Sequence, residues 1–342
     1  MVTIKDIAKR LGVTPATVSL ALNGKGRVSS VKRAEIRAVA EEMHYVPSNV
    51  AQTMRTKQSK TIGVLVGTIH NEFFVDEISA ISDVLSERGY SLFICDAHRN
   101  VEIAAKSISA LRSRGVDGII TTFGFDANEA MISEIKTCVT NGIKVFTLTT
   151  GIDLPEVPLV NFSFRDQFVE VLSNLVENGH RNIGCLTVQK GEWLDTNRFE
   201  LFQKEMKSLN VFKEEYVYRI DIFKDDAKEV VRHLLLDHPE ITAIIGINDY
   251  VAIHAMKGIF GMGLRIPEDV SLVGFDGIEG TQMTTPSITT IKTPHELGTI
   301  IAEKLLDSIE DPNYICPHKF TVPCTIIWGD SIGKAKQKGI IQ

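Results

Sequence analysis

Long apolar runs are missing from this chain. Its longest, residues 61–66 and 241–247, fall far short of the roughly 18–20 residues that a membrane span needs, so no membrane partner is expected. The opening Met1-Val-Thr-Ile-Lys-Asp has no apolar stretch of the kind a signal peptide requires. Cysteine is sparse and unpatterned: Cys95, Cys138, Cys185, Cys316 and Cys324 form no CxxC and no metal-like spacing. They read as reduced, buried small hydrophobes of a cytoplasmic protein. Catalytic motifs are absent too. There is no GxSxG, no HExxH and no GxxxxGK[ST] phosphate loop. The GxG fragment in Phe260-Gly-Met-Gly263 ends a helix instead of opening one, and His180 and His254 read as packing or surface residues. No enzyme, cofactor or metal is therefore expected. What remains is ordinary globular composition, 44% hydrophobic and 23% charged over 342 residues. At about 100–200 residues per domain, that length suggests two or three domains.

The net charge of −6 hides an asymmetry. Residues 1–60 carry eleven Lys and Arg against four acids, a balance of +7, which leaves −13 for the rest. A basic head on an acidic body is the electrostatic pattern of a nucleic-acid module joined to a domain with different work.

Local pattern sharpens this. Ile4, Ile7, Ala8 and Leu11 recur at helical spacing after Thr3, an N-cap residue, and Gly12 follows as a left-handed stop. Thr14-Pro15 supplies a second cap with proline at the first helical position. A helix over 15–22 closes at Asn23-Gly24, and a third spans about 30–43. Two short helices joined by a glycine-containing turn make a helix-turn-helix.

The run Thr3-Ile-Lys-Asp-Ile-Ala, then Gly12-Val-Thr-Pro-Ala-Thr-Val-Ser, Leu22-Asn, Val28-Ser and His44-Tyr-Val-Pro-Ser-Asn resembles the N-terminus of the lactose-repressor (LacI/GalR) family of bacterial transcription regulators. Further signature runs extend the resemblance along the chain: Arg114-Gly-Val-Asp-Gly-Ile-Ile, Gly179-His-Arg-Asn-Ile-Gly, Ile266-Pro-Glu-Asp-Val-Ser-Leu-Val-Gly-Phe-Asp and Thr289-Thr-Ile. The resemblance implies that the second helix enters the major groove, with Pro15, Ala16 and Leu20 at the base-reading positions. None of these can hydrogen-bond a base edge. They can only pack on thymine methyls, so direct readout is thin and more specificity falls to DNA deformation. Thr14, Thr17, Ser19, Asn23, Lys25 and Arg27 are candidates for phosphate contacts. Residues 47–56 match the family's hinge helix, in which Met54 stands where leucine is usual as the minor-groove wedge. Ala51 is small where the backbone nears the groove, and Arg55 completes the DNA-contacting set.

From residue 61, strand-like runs at 61–66, 92–95, 118–121, 144–148, 183–187, 243–247 and 271–274 alternate with helical stretches such as 80–88, 104–114, 164–178 and 224–237. Repeated strand–helix–strand units predict parallel sheets covered by helices, and some 280 residues of them suggest two lobes. The resemblance implies the same architecture: a three-helix helix-turn-helix, a hinge helix, and a two-lobed α/β periplasmic-binding-protein-like effector domain. The expected boundaries are 1–46 for the DNA-binding domain, 47–60 for hinge and linker, and 61–342 for the effector and dimerisation domain. Lobe one comprises about 61–161 and 293–321, and lobe two about 162–290 and 323–332. Crossovers are expected near 161–163, 290–292 and 321–323.

Ligands of open α/β sheets sit beyond the carboxyl ends of the strands. That rule selects Asn71 to Phe74, Phe123 to Phe125, Trp193 to Arg198, Phe223, Asn248-Asp249 and Asp276. Aromatic faces with Arg, Asn and Asp suit a ring bearing several hydroxyls. The expected effector set is Phe73, Phe74, Phe125, Trp193, Arg198, Phe223, Asn248 and Asp276, with Arg198 and Asp276 foremost and Asp249 read as an N-cap. The resemblance places Phe73, Phe74, Arg198, Phe223, Asn248 and Asp276 on the family's effector positions. Thr149-Thr150 and Asn161-Phe162 depart from the acidic residues frequent there, so polar recognition concentrates in lobe two. A sugar is the first choice of effector, with a nucleobase-like ring or a protein co-regulator as alternatives. An extracytoplasmic solute-binding protein would have no basic head. The whole reads as a homodimeric repressor of a pseudo-palindromic double-stranded operator, without a coiled-coil tail. Effector closure of the lobes would alter the spacing of the paired hinge helices.

Overall fold

The computed structural model describes residues 2–24, 26–45, 58–122, 127–148, 152, 154–190, 195–221, 226–294 and 296–336. Lys25, Ala51, Met54, Arg55, Phe125, Trp193 and Phe223, together with the expected hinge helix, lie outside the described residues. The chain divides into two compact units, residues 1–59 and 60–342.

In the first unit, α1 (Ile4–Leu11), α2 (Pro15–Leu22) and α3 (Ser30–Glu42) follow one another closely. Each start has a side-chain cap. Thr3 and Asp6 form a reciprocal capping box, Thr14 accepts from Thr17 N, and Ser29 accepts from Lys32 N. Gly12 ends α1 at φ 63°, a left-handed conformation that other residues adopt only at a cost. The three helices bury Ile7, Ala8, Val18, Ala21, Ile36 and Ala40 against one another. That small core gives α2 one buried edge and leaves the other to solvent.

The second unit contains two six-stranded sheets. The first is built from β1 (Thr61–Val66), β2 (Ser91–Asp96), β3 (Gly118–Thr121), β4 (Lys144–Thr147), β5 (Leu159–Ser163) and β11 (Lys319–Pro323), in the order β11-β5-β4-β3-β1-β2. The second is built from β6 (Ile183–Val188), β7 (Val217–Ile220), β8 (Ala243–Gly246), β9 (Ser271–Asp276), β10 (Thr289–Lys292) and β12 (Thr325–Ile327), in the order β12-β10-β9-β8-β6-β7. All described pairings are parallel except β10 with β12. The inner strands β1, β3, β6, β8 and β9 are covered on both faces, which is why their sequences read as unbroken apolar runs. Every residue of β6 and β9 is buried. The chain passes between the sheets three times: after β5, after β10, and from β11 to β12.

The covering helices are α4 (Glu72–Glu87), α5 (Val101–Ser113), α6 (Glu129–Thr140), α7 (Arg165–Glu177), α8 (Glu200–Ser208), α9 (Ala227–Asp237), α10 (Asp249–Gly261), α11 (Gly280–Met283) and α12 (Leu297–Glu310). A turn of π-helix, Asp195–Phe199, precedes α8. Two details differ from expectation. Helix α4 begins eight residues earlier than the stretch 80–88, because Asn71 caps it by accepting from Phe73 N. Of the five cysteines, Cys95 and Cys316 are only half-buried. Cys95 lies on β2, the edge strand, and Cys316 on the connection before β11.

Candidate DNA-reading face and effector cleft

Helix α2 turns Val18 and Ala21 into the core and holds Pro15, Ala16 and Leu20 out; Leu20 is 42% exposed. The Leu20 methyls rest against Gly26 in the loop that follows, where an added Cβ would stand 3.1 Å from them. Arg33 of α3 donates to Gly24 O at 3.1 Å and braces the same loop. The candidate phosphate-contacting side chains are partly committed to the helix itself. The Thr14 and Thr17 hydroxyls share a 2.9 Å hydrogen bond, and the Asn23 amide donates to Ser19 O at 2.6 Å. Arg27 is exposed. The outward face is thus an apolar ridge of Pro15, Ala16 and Leu20 flanked by hydroxyls and a cation.

In the second unit, two carboxylates from the carboxyl ends of β8 and β9 meet an arginine from the π-helical turn in the interior. Arg198, from the π-helical turn, donates through Nη1 to Ile247 O at 2.6 Å and through Nη2 to Asp276 Oδ1 at 3.0 Å. Its guanidinium lies 3.5 Å from the centroid of the Phe275 ring, and that ring is buttressed edge-on by Phe164 at 5.0 Å. Arg198 and Asp276 are both buried. Burial pushes the Asp276 carboxyl up, and the adjacent Arg198 charge draws it back down. A buried ion pair of this kind presents a donor and an acceptor side by side in a dry setting, which is what vicinal hydroxyls need. Arg198 Nε has no partner among the described residues.

Asp276 stands at φ 121°, which is strained for a residue with a Cβ. The strain is held by its neighbour Asp249. The Asp249 carboxylate accepts from Gly277 N at 2.6 Å and Ile278 N at 3.0 Å through Oδ2, and from the Thr290 hydroxyl at 2.7 Å through Oδ1. Burial, reinforced by the Asp276 charge, pushes Asp249 up to about 7. Gly274 makes this possible, since a Cβ there would stand 2.0 Å from Asp249 Oδ1.

The expected N-cap role of Asp249 is therefore corrected. Asn248 is the N-cap of α10, its Oδ1 accepting from Val251 N at 2.9 Å. Asp249, at the first helical position, is the scaffold of the turn that presents Asp276. Two cap-type residues stand in sequence after β8, and only the first one caps. Across the unit, Phe73 and Phe74 occupy the first turn of α4 with ring centroids 5.2 Å apart at 65°.

A crevice of about 310 Å³ joins these parts, with Phe73, Glu77, Asp276 and Lys292 among its lining residues. Sequence reasoning missed Glu77 and Lys292. Glu77 falls on the apolar stripe formed by Phe74, Ile78, Ile81 and Leu85, and a charge on such a stripe was the signal available. Lys292 ends β10, beyond the reach of any periodicity argument.

Residues 3–48 match the family described as bacterial regulatory proteins, lacI family, and residues 172–332 match a periplasmic binding protein-like domain. The ribose operon repressor of Halalkalibacterium halodurans is 33% identical over 328 residues, covering 96% of each chain. The HTH-type transcriptional repressor PurR of Aliivibrio salmonicida is 28% identical over 316 residues, covering 92% of this chain and 94% of that one. Among solved structures, the lac repressor dimer bound to operator and an anti-inducer superposes with a TM-score of 0.84 at 24% identity, covering 97% of this chain and 99% of that one; this is a likeness of fold. A helix-turn-helix with one face of α2 exposed, two crossed-over α/β sheets and full-length similarity to repressors lead to one conclusion: the chain belongs to the lacI family of bacterial regulatory proteins, DNA-binding repressors with an effector-binding domain.

Proposed function

We propose that this chain represses transcription by binding a pseudo-palindromic operator as a homodimer, and that a sugar held between its two lobes controls that binding. What carries the effector half of this proposal is the buried Arg198–Asp276 pair at the carboxyl end of β9. It is oriented by Asp249 and roofed by Phe275, and it is costly to maintain unless a ligand uses it. The ribose operon repressor among its relatives makes a pentose the first sugar to try. Domains are assigned at 1–46, 47–60 and 61–342. The DNA contacts go to Thr14, Pro15, Ala16, Thr17, Ser19, Leu20, Asn23 and Arg27, with Lys25, Ala51, Met54 and Arg55 carried from sequence. The effector contacts go to Phe73, Phe74, Arg198, Asn248 and Asp276, with Phe125, Trp193 and Phe223 likewise carried from sequence. The protein is placed in the cytoplasm and performs no catalysis.

Homodimerisation has support in exposed apolar surface. Strand β2 is a sheet edge with Phe93 44% and Ile94 50% exposed, and edges of this kind invite pairing. One observation favours a second effector class: the edge-packed Phe73–Phe74 pair suits a flat ring, and PurR repressors stand among the relatives.

Operator binding by full-length protein tests the DNA half. Ala16→Glu puts a carboxylate on the exposed face of α2 and should lower operator affinity at least about a hundredfold while leaving the melting of the effector domain unchanged. Unchanged operator affinity would remove α2 as the reading helix. For the effector half, ribose, glucose, adenine and hypoxanthine are screened by thermal shift. Stabilisation should occur in the wild type and vanish in Asp276→Asn.

A further inference from the structure

The crevice beside Asp276 is not electrically balanced. Asp76, Glu77, Asp276 and Glu279 line it, and against their four carboxyls stands the single ammonium of Lys292. Asp276 is already answered by Arg198; Glu77 is not. It is 4% exposed, it lines the crevice, and its Oε2 has no hydrogen-bond partner among the described residues; burial pushes its carboxyl up to about 8, so near neutral pH it is largely protonated, and a cation seated beside it would draw that proton off. The backbone N–H of Gly298, in the first turn of α12, faces its carboxyl but does not complete it. A buried carboxyl oxygen without a donor costs free energy that an apolar side chain at the same place on the α4 stripe would avoid. Phe73, shared by the crevice and the effector set, brings an aromatic ring to the same place. Just before it, Glu72 accepts from Gly280 N at 3.3 Å, so the first turn of α4 is already linked to the start of α11 beside this crevice.

Rim acids alone would attract any cation and select none. What selects here is the combination: a desolvated acceptor lacking a donor, an aromatic face, and a volume of about 310 Å³, room for more than one small group. A phosphate or carboxylate is disfavoured by the surplus of acids. Among the described residues no group of three or more His, Cys, Asp or Glu is arranged to hold a metal ion, which leaves an organic cation. We propose that this crevice is a cation subsite of the effector cleft, taking an ammonium or amidinium group carried by the bound ligand, with Glu77 as its acceptor and Asp76 and Glu279 as its rim. The inference rests on the effector reading above and narrows it to an aminated ligand.

The test uses the full-length protein, calorimetry and thermal shift. D-glucosamine and D-glucose differ at one position, ammonium against hydroxyl, and 1,4-diaminobutane supplies the cation without the ring. The wild type should bind glucosamine at least about tenfold more tightly than glucose, the worth of a charge-assisted hydrogen bond. Glu77→Gln, which keeps the shape and removes the charge, should reduce that preference below about twofold without weakening glucose. Glu279→Gln, on an exposed rim where folding is not at risk, should reduce it partially. Equal binding of the two sugars by the wild type, a preference that survives in Glu77→Gln, or no response to either glucosamine or diaminobutane would overturn the subsite. If ribose or adenine still stabilises the wild type and not Asp276→Asn, the effector cleft stands and only the cation subsite falls.

Discussion

Asp276 and Asp249 show how two neighbouring carboxylates acquire different work from their surroundings. Asp276 meets a guanidinium and presents its remaining surface to the cleft, whereas Asp249 meets two backbone N–H groups and a hydroxyl and holds a turn. Removing one partner of a buried pair leaves the other charged and unanswered. Arg198→Met should therefore cost about 3–5 kcal/mol, and adding Asp276→Asn should recover part of it; denaturant unfolding of both variants checks this. Asparagine is the apt replacement at position 276 because it tolerates positive φ. The Asp249 carboxyl sits at about 7 in the folded protein, above its ordinary 3.8. The folded state therefore keeps this proton where the unfolded chain has lost it. Its contribution to stability is complete at acid pH and is lost as pH rises from about 4 to about 7. In Asp249→Asn the amide oxygen can take the two backbone N–H groups and the NH2 can donate to Thr290. The melting temperature of that variant should vary less over this window than the wild type's. An identical pH profile would mean that Asp249 is ionised throughout. At this scale Arg198 and Asp276 were legible, since a charge at a strand's carboxyl end stands out in sequence. Which of Asn248 and Asp249 caps α10 was not, because both residues are good caps and only three-dimensional neighbours decide between them. Glu77 was legible in principle as the break in an apolar stripe.

Elements were most legible where caps and periodicity agreed. Helices α1 and α2 start and stop where Thr3, Gly12, Thr14 and Pro15 direct. Thr14→Ala should cost the first unit about 1 kcal/mol, read as an earlier melting of that unit, and should weaken operator binding with it. Helix α4 was legible only in its second half, because its first turn carries Glu72 and Phe73 outside the apolar spacing and depends on the Asn71 cap. The short connecting strands β5, β10, β11 and β12 carried little signal of their own, being defined by which sheet accepts them. Strand β9 adds a steric condition at Gly274 that only packing shows. Gly274→Ala should be destabilising by about 1–3 kcal/mol or more, with loss of the turn that presents Asp276.

At the scale of the whole molecule, the balance of +7 in residues 1–60 and −13 in the remainder separates attraction to phosphate from ligand sensing. Operator affinity should accordingly fall by at least about a hundredfold between about 50 and 200 mM salt, while ligand affinity of the acidic body changes little. The two-lobed architecture was legible from the strand–helix rhythm and the family signatures, whereas the chemistry of the cleft was only partly so, because residues from three strands of the second sheet and from α4 converge there. Central to the account is a coupling between cleft and operator, and it is reciprocal by necessity. The measurement that tests it most directly is operator affinity of full-length wild type and Asp276→Asn, with and without a ligand shown by thermal shift to bind the wild type. The wild-type Kd for operator should change by about 5- to 150-fold and that of Asp276→Asn should not. An equal change in both proteins, or ligand binding without any change in operator affinity, would contradict it.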